Sequence, residues 1–573
     1  MELKYLKALV LACGALLMSA VAYAGDIDDD EALAIARKFL KGKNLVPVSC
    51  DNISSRRNAA ALKHPAFYIY NAENEGGFVI VNGDDEANPV LGYSDKGSFN
   101  PSNLHPFLSK FLENYNEVTA SNGARRASVT PGTIIVDALC KSQWGQDAPF
   151  DLYTPTIGGQ NTPCGCVATA MAQIMRHFEW PACGRGSIVY NCPGYGVISR
   201  DFSQNSYNWA VMQDKGGMIR NTEVREAMGL IAYDAGLSVR MSYSPSGSGA
   251  YEEDARKALA TTFQYKASTA RVLHRECYAT QNEWLDIIRA ELDSNRPILY
   301  CAQDTINGGH AYVVDGYDSN GYVHVNWGWN GDSNGFYDIT SFTPDETVFD
   351  FCDFHRMIVG IEPDFSGEDT QMAQYYLYME NAPECSGSQK LGKPFILTYK
   401  NIFNVGFDSH TYTIGVGLYD EDGNLIKNIS VKSSEISMSY TQQFKPSYGF
   451  GTFHVAASLD EEFPEGKYAL RCIFCEKDYD EWLLPETVGG SAVNWIPIVV
   501  KDGKVYLNSP DGPTPPLPDA IYNICVDGSD SEVVSRTYYN INGTRVITPK
   551  RGEFIIERQM LRNGMVKTLK RRF

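Results

Sequence analysis

The sequence predicts an α+β chain over its first two thirds and an all-β chain after that. Three observations carry the prediction. Helical apolar spacing and strand-like runs alternate up to about residue 364, short alternating strands replace them from about residue 375, and the Pro-rich stretch S-P-D-G-P-T-P-P-L-P-D sets off a last module. A length of 573 residues fits roughly four domains of about 150 residues each, so more than one core can form.

The first element is M-E-L-K-Y-L-K followed by A-L-V-L-A-C-G-A-L-L-M-S-A-V-A-Y-A, a basic start, an apolar run and a small-residue ending. It predicts a signal peptide over residues 1–24 and a chain that leaves the cytoplasm. A lipobox ending at Cys13 would cut that apolar run in the middle. No later run approaches the ~20 apolar residues of a membrane helix. Residues 25–126 open with D-I-D-D-D-E-A-L-A-I-A-R-K-F-L, a helix with an acidic first turn, and continue with the strand-like A-F-Y-I-Y-N and G-G-F-V-I-V-N-G-D. This small α+β unit ends in S-N-G-A-R-R-A-S, a polar dibasic stretch of the kind proteases nick.

Residues 127–364 mix helical stretches with the strand runs P-I-L-Y-C-A, H-A-Y-V-V-D-G-Y and Y-V-H-V-N-W-G-W. Residues 375–507 read as an Ig-like β-sandwich, with T-Y-T-I-G-V-G-L-Y and F-H-V-A-A-S-L among its strands. Residues 508–520 are a semi-rigid linker, and 521–573 a small β module built from Y-Y-N-I-N-G-T-R-V, G-E-F-I-I-E-R and M-V-K-T-L-K-R-R-F. No internal repeat is evident.

Charge and cysteine content exclude some functions. With 50 Lys+Arg against 69 Asp+Glu the net charge is −19, and no long basic run precedes the extreme C-terminus, which argues against a nucleic-acid partner. Fourteen cysteines in 573 residues are too sparse for a disulfide-built scaffold, although Cys183 with Cys192 and Cys472 with Cys475 are close enough in sequence to consider as pairs. The chain lacks H-E-x-x-H and any repeated C-x-x-C at zinc spacing, so no metal or other cofactor is expected.

The stretch N-T-P-C-G-C-V-A-T-A-M-A-Q-I-M, residues 161–175, places two cysteines ahead of a helical run. Cys166 falls at the helix N-terminus, where the peptide dipoles favour a thiolate. Gly165 leaves room for a tight turn, while Cys164 falls outside the helix. Two buried or bridged cysteines are the structural alternative. A thiolate nucleophile needs a proton-transfer partner, and the chain offers nine histidines. His64 and His105 lie in the first unit, and His410 and His454 in the sandwich. His177 lies eleven residues beyond Cys166 on the same helix, about 16 Å along its axis, too far to reach. His274 and His355 lack a supporting pattern, and His324 reads as packed on a strand. His310, after two glycines at the start of an apolar strand, is the rigidly placed one. The residues 308–331 read as a hairpin turning at D-S-N-G, which would carry Asn326 and Trp327 back toward His310. An ordinary core hairpin is the structural alternative.

C-V-A-T-A-M-A-Q-I-M, G-G-H-A-Y-V-V-D-G-Y and H-V-N-W-G-W-N-G together resemble the streptopain family of secreted bacterial cysteine peptidases, within the papain-like superfamily. The likeness extends to F-Y-I-Y-N, G-G-F-V-I-V-N-G-D and P-V-L-G-Y-S, and so runs from residue 25 to 364. It implies a papain-like catalytic domain behind an α+β inhibitory prosegment, with Cys166 as nucleophile and His310 as its base. It also implies an oxyanion-hole glutamine, for which S-Q-W-G-Q offers Gln146 ahead of Gln143. Asn326 and Trp327 jointly would orient and shield the histidine. The loop Y-S-P-S-G-S-G-A resembles one beside the family's substrate cleft, which points to Ser246, Gly247, Ser248 and Gly249, with Gly308 and Gly309 opposite. A solvated loop is the alternative there. Cys164 departs from the family pattern and could bridge to Cys166; Cys166 is expected free.

The resemblance implies thiolate attack on a peptide carbonyl, an acyl-enzyme and its hydrolysis by water. It further implies a preference for a bulky apolar side chain at the position before last on the acyl side of the cut. Protein substrates and the chain's own prosegment are the expected partners, with R-R-A-S as maturation site. The last module resembles C-terminal sorting domains of type IX secretion, with surface attachment or removal as its consequence. A Cys-His acyltransferase or amidase on the same scaffold, and a non-catalytic adhesin or binding protein, are the competing readings.

Overall fold

The computed structural model describes residues 27–49, 65, 67–83, 88–105, 108–109, 111–112, 130–275, 278, 281–304, 308–339, 354–367, 369, 377–379, 381–404, 409–432, 434–438, 452–477, 482–487, 493–515, 533–540, 545–546, 554–561 and 566–572. The signal peptide, the R-R-A-S stretch and the end of the Pro-rich linker, 516–520, lie outside them. Mixed α/β architecture is observed, arranged in two compact units. One is residues 1–135 with 317–351, the other 136–316 with 352–573. The expected border at 126/127 lies outside the described residues.

In the first unit, Asp28 caps the helix Asp29–Phe39 in a capping box with Glu31, as the acidic start of the motif predicts. That helix lays Ala32 and Ala36 on an antiparallel sheet. Strand order in the sheet is Leu45–Pro47, Phe67–Ala72, Phe78–Asn82, Val90–Ser94, Gly335–Tyr337 and Val323–Asn326. The D-S-N-G turn forms where expected: Asp318 Oδ1 accepts the backbone N–H groups of Asn320 and Tyr322, and Gly321 adopts φ +94°. Tyr93 donates to the second carboxylate oxygen of Asp318 at 2.7 Å, which ties this turn to the sheet.

In the second unit the helix Cys166–Phe178 is buried along most of its length. It packs against the helices Thr222–Ser238 and Glu252–Thr261. A sheet ordered Gly308–Asp318, Ile298–Asp304, Phe354–Val359 and Arg271–His274 completes that core. The alanines at 168, 170 and 172 are all buried, so the helix backbone approaches its neighbours closely. Inside this layer Asp234 is fully buried and collects Arg200 Nε at 2.9 Å, Asn205 Nδ2 at 2.8 Å and the Tyr207 hydroxyl at 2.9 Å. Further along, one four-stranded and one six-stranded sheet share an apolar core drawn from residues 377–505. The last module is a four-stranded antiparallel sheet, Val533–Asn540, Arg545–Val546, Phe554–Leu561 and Val566–Arg572.

None of the nine described free cysteines is bridged. Cys472 and Cys475 lie three apart on one extended strand and so face opposite sides of it. Cys183 is exposed whereas Cys192 is buried.

Replacement of Asp234 by alanine leaves Arg200 without its carboxylate and removes the acceptor shared by Asn205 and Tyr207. A loss of about 3 kcal/mol is expected, read as a lower midpoint in urea unfolding; an unchanged midpoint would show the cluster to be dispensable.

Candidate active site

The turn before the Cys166–Phe178 helix is built around Gly165, whose φ of +95° and ψ of 145° belong to a region open essentially to glycine. A Cβ there would lie 2.6 Å from Met241 Cε, 2.7 Å from its sulfur and 3.1 Å from the carbonyl oxygen of Ser248. Two further bonds fix the turn. The Cys164 N–H donates to the Gln146 carbonyl at 3.0 Å, and the Thr169 hydroxyl to the Gly165 carbonyl at 3.1 Å.

The two cysteines then diverge. Cys164 is fully buried with its sulfur 3.3 Å from Thr169 Oγ1, and burial pushes its thiol up to about 12. It is a protonated, inward-facing thiol, free of Cys166. Cys166 opens the helix and is half-buried. Burial is the largest influence on its thiol and raises it. The backbone N–H groups of Ala311, Val167 and Cys166 itself oppose that rise, and the Glu252 carboxylate reinforces it. The expected lowering by the helix N-terminus is therefore present but outweighed: in this state the sulfur is a thiol.

Ala311 is the residue after His310, so its N–H on the sulfur brings the His310 backbone close to Cys166. Burial holds the His310 imidazole below its ordinary range, in the neutral form a base requires. The other described histidines are engaged elsewhere. His177 Nδ1 is 3.0 Å from the Leu139 carbonyl oxygen, and His355 Nδ1 is 3.1 Å from the Tyr300 hydroxyl. Burial, reinforced by Arg356 and Arg256, holds the His274 imidazole well below its ordinary range. His324 packs edge-on against Phe336.

Of the two glutamines, Gln146 is bonded to the Cys164 turn, whereas the Gln143 backbone pairs with Asp214 and Gly216. The loop of Ser246, Gly247, Ser248 and Gly249 folds back through a Ser242–Gly249 bridge and abuts Gly165 through the Ser248 carbonyl. Gly308 and Gly309 begin the His310 strand, paired with Asp304 and Gln303. Asn326 and Trp327 belong to the first unit. There Asn326 Oδ1 accepts the Gly328 N–H at 3.2 Å and Trp327 Nε1 donates to the Ser333 carbonyl at 3.0 Å.

Sequence reasoning passed over several residues that shape these surroundings. Gln173, buried one face along from Cys166, accepts the Trp144 N–H and so positions the S-Q-W-G-Q segment. Glu252 is held by the buried Arg356. In the first unit His105 stacks on Trp327 with ring centroids 5.1 Å apart, and Asn103 bonds both Trp329 Nε1 and Asp332. The helical position of Gln173 was the one available signal; the other three partners are far apart in sequence.

A free cysteine on a helix N-terminus, backed by a neutral histidine one residue from its nearest strand donor, is the arrangement of a cysteine-type hydrolase. The peptidase C10 profile matches residues 144–337 and that of the Spi protease inhibitor residues 24–119. Streptopain from Streptococcus pyogenes is 32% identical over 325 residues, 52% of this chain and 80% of streptopain. The thiol protease/hemagglutinin PrtT of Porphyromonas gingivalis is 31% identical over 371 residues, 59% of this chain but only 42% of PrtT. Among solved structures, a fragment of Prevotella intermedia prointerpain A is 28% identical with a TM-score of 0.47, covering 56% of this chain and 99% of the fragment. The chain belongs to the peptidase C10 family.

Two outcomes are expected here. Gly165→Ala forces a strained backbone costing about 1–3 kcal/mol and a clash with Met241; thiol reactivity at Cys166 should change, and adding Met241→Ala should restore it only in part, since the strain remains. Alkylation of Cys166 in the unprocessed chain, followed by peptide mapping, should be slow at pH 7 and rise only through and above the ordinary thiol range. An inflection near neutrality would contradict the raised thiol.

Proposed function

We propose that the chain is a secreted cysteine endopeptidase made as a self-processing zymogen, with Cys166 as nucleophile and His310 as general base. The observation that carries it is the Cys166 sulfur held among backbone N–H groups that include the one next to His310. On this reading the thiolate attacks a peptide carbonyl, the Gln146 amide and the Cys166 N–H receive the oxyanion, His310 protonates the leaving amine, and water releases the acyl group. Asn326 and Trp327 orient and shield the imidazole. The loop 246–249 and Gly308–Gly309 line the substrate cleft, and a bulky apolar side chain is preferred at the position before last on the acyl side.

Residues 25–126 act as an intramolecular inhibitor, released near R-R-A-S. The Spi inhibitor match and the grip of Asn103 and His105 on the Trp327–Trp329 stretch support that role. Export through the signal peptide, an Ig-like identity for residues 375–507 and a sorting role for 521–573 with surface attachment complete the proposal. Among the described residues no helix is long and apolar enough to cross a membrane.

The test follows intact mass of the purified proprotein under reducing conditions. Shortening is expected in the parent and abolished in Cys166→Ala and His310→Ala. In the matured enzyme, Gln146→Ala should lower kcat by about 10²- to 10³-fold. Casein left intact by protein matured with a trace of exogenous protease would favour the acyltransferase or the binding protein instead.

A further inference from the structure

The two-sheet region contains a buried cation unused by the peptidase reading. Arg471 lies mid-strand in Gly466–Glu476, opposite Gly417 on the neighbouring strand His410–Tyr419. Alternation sends Leu470 and Cys472 into the shared core and Arg471 to the outer face of the sheet. There the side chain is only 8% exposed. Its guanidinium carbon sits 5.1 Å from the Tyr419 ring centroid and 5.7 Å from that of Trp495, and Nε donates to the Asn494 carbonyl at 3.1 Å. Half-buried Trp482 and Leu484 pack against the same cluster.

Nη1 and Nη2 make no hydrogen bond to any described residue, and no carboxylate pairs with Arg471 among the described residues. Burying a charge without a counter-charge is costly, and desolvation here also depresses the guanidinium's basicity. The small residue opposite makes the arrangement possible. A Cβ at Gly417 would meet Tyr419 and Ile473 within 3 Å, so only glycine lets Tyr419 lie along the strand.

We propose that Arg471, walled by Tyr419 and Trp495, is a binding well for a carboxylate of an acidic polypeptide. With Nε committed to Asn494, the donors left are the parallel pair at the end of the fork, the geometry that grips both oxygens of a carboxylate. Both strands next to Gly466–Glu476 are already paired, so the peptide docks through its carboxylate and not as an added strand. The well lies on residues remote in sequence from Cys166 and does not depend on the peptidase reading.

The experiment uses the full-length Cys166→Ala chain, which removes the proposed nucleophile, and fluorescein-labelled peptides read by anisotropy. One peptide carries a Glu-rich tail, one the Gln isostere, and each is made with a free and an amidated C-terminus to separate side-chain from terminal carboxylates. The Glu or free-acid peptide should bind at least about tenfold more tightly than its neutral counterpart, and Arg471→Lys, which keeps charge but loses the fork, should abolish most of that preference. If Arg471→Lys does not fold by circular dichroism, Trp482→Ala, at the half-buried edge of the cluster, should weaken the same preference. Equal binding of acidic and neutral peptides, or an unaltered preference in a folded Arg471→Lys protein, overturns the proposal.

Discussion

Everything at the thiol site depends on one backbone conformation, that of Gly165. Its positive φ reverses the chain so that consecutive cysteines part company, one sulfur driven into the core beside Thr169, the other left at the start of the helix. Met241 and the Ser248 carbonyl fill the space a side chain would need, so the loop over the turn and the turn itself specify each other. The Thr169 hydroxyl, bonded to the carbonyls of both Gly145 and Gly165, ties the S-Q-W-G-Q segment to the same point. Three stretches far apart in sequence thus converge on a residue that has no side chain.

Opposing influences meet at the sulfur, and burial is the largest of them. Three N–H groups favour the thiolate, and desolvation plus Glu252 oppose it. Glu252 is itself pinned by Arg356, which is buried and lies on the strand next to Cys301, the partner of Ala311. Less burial would weaken the largest of the influences that raise the thiol and leave the N–H donors in place.

The sequence disclosed those parts of the site that are local in the chain. The helix start at Cys166, the glycine before it, the D-S-N-G turn and the strands of the last module could each be read from a few neighbouring residues, because caps, turns and alternation are short-range effects. The sign of the thiol's shift could not be read, since it depends on burial and on Glu252 and Ala311, 86 and 145 positions away. The same is true of the Asp234 cluster and of the grip of His105 on Trp327, which are products of tertiary packing alone.

That pairing constrains how a prosegment could leave. Tyr93 stacks on Phe336 at 5.4 Å, and Gly92 lacks the Cβ that would collide with the Tyr337 ring at 2.6 Å. The Tyr322 hydroxyl donates to the Val90 carbonyl, and the Asp338 N–H to that of Leu91. Cutting the chain near residue 126 breaks none of these contacts. A nicked prosegment would therefore stay zipped to its strand, and its departure would strip Gly335–Tyr337 of a neighbour and expose an edge.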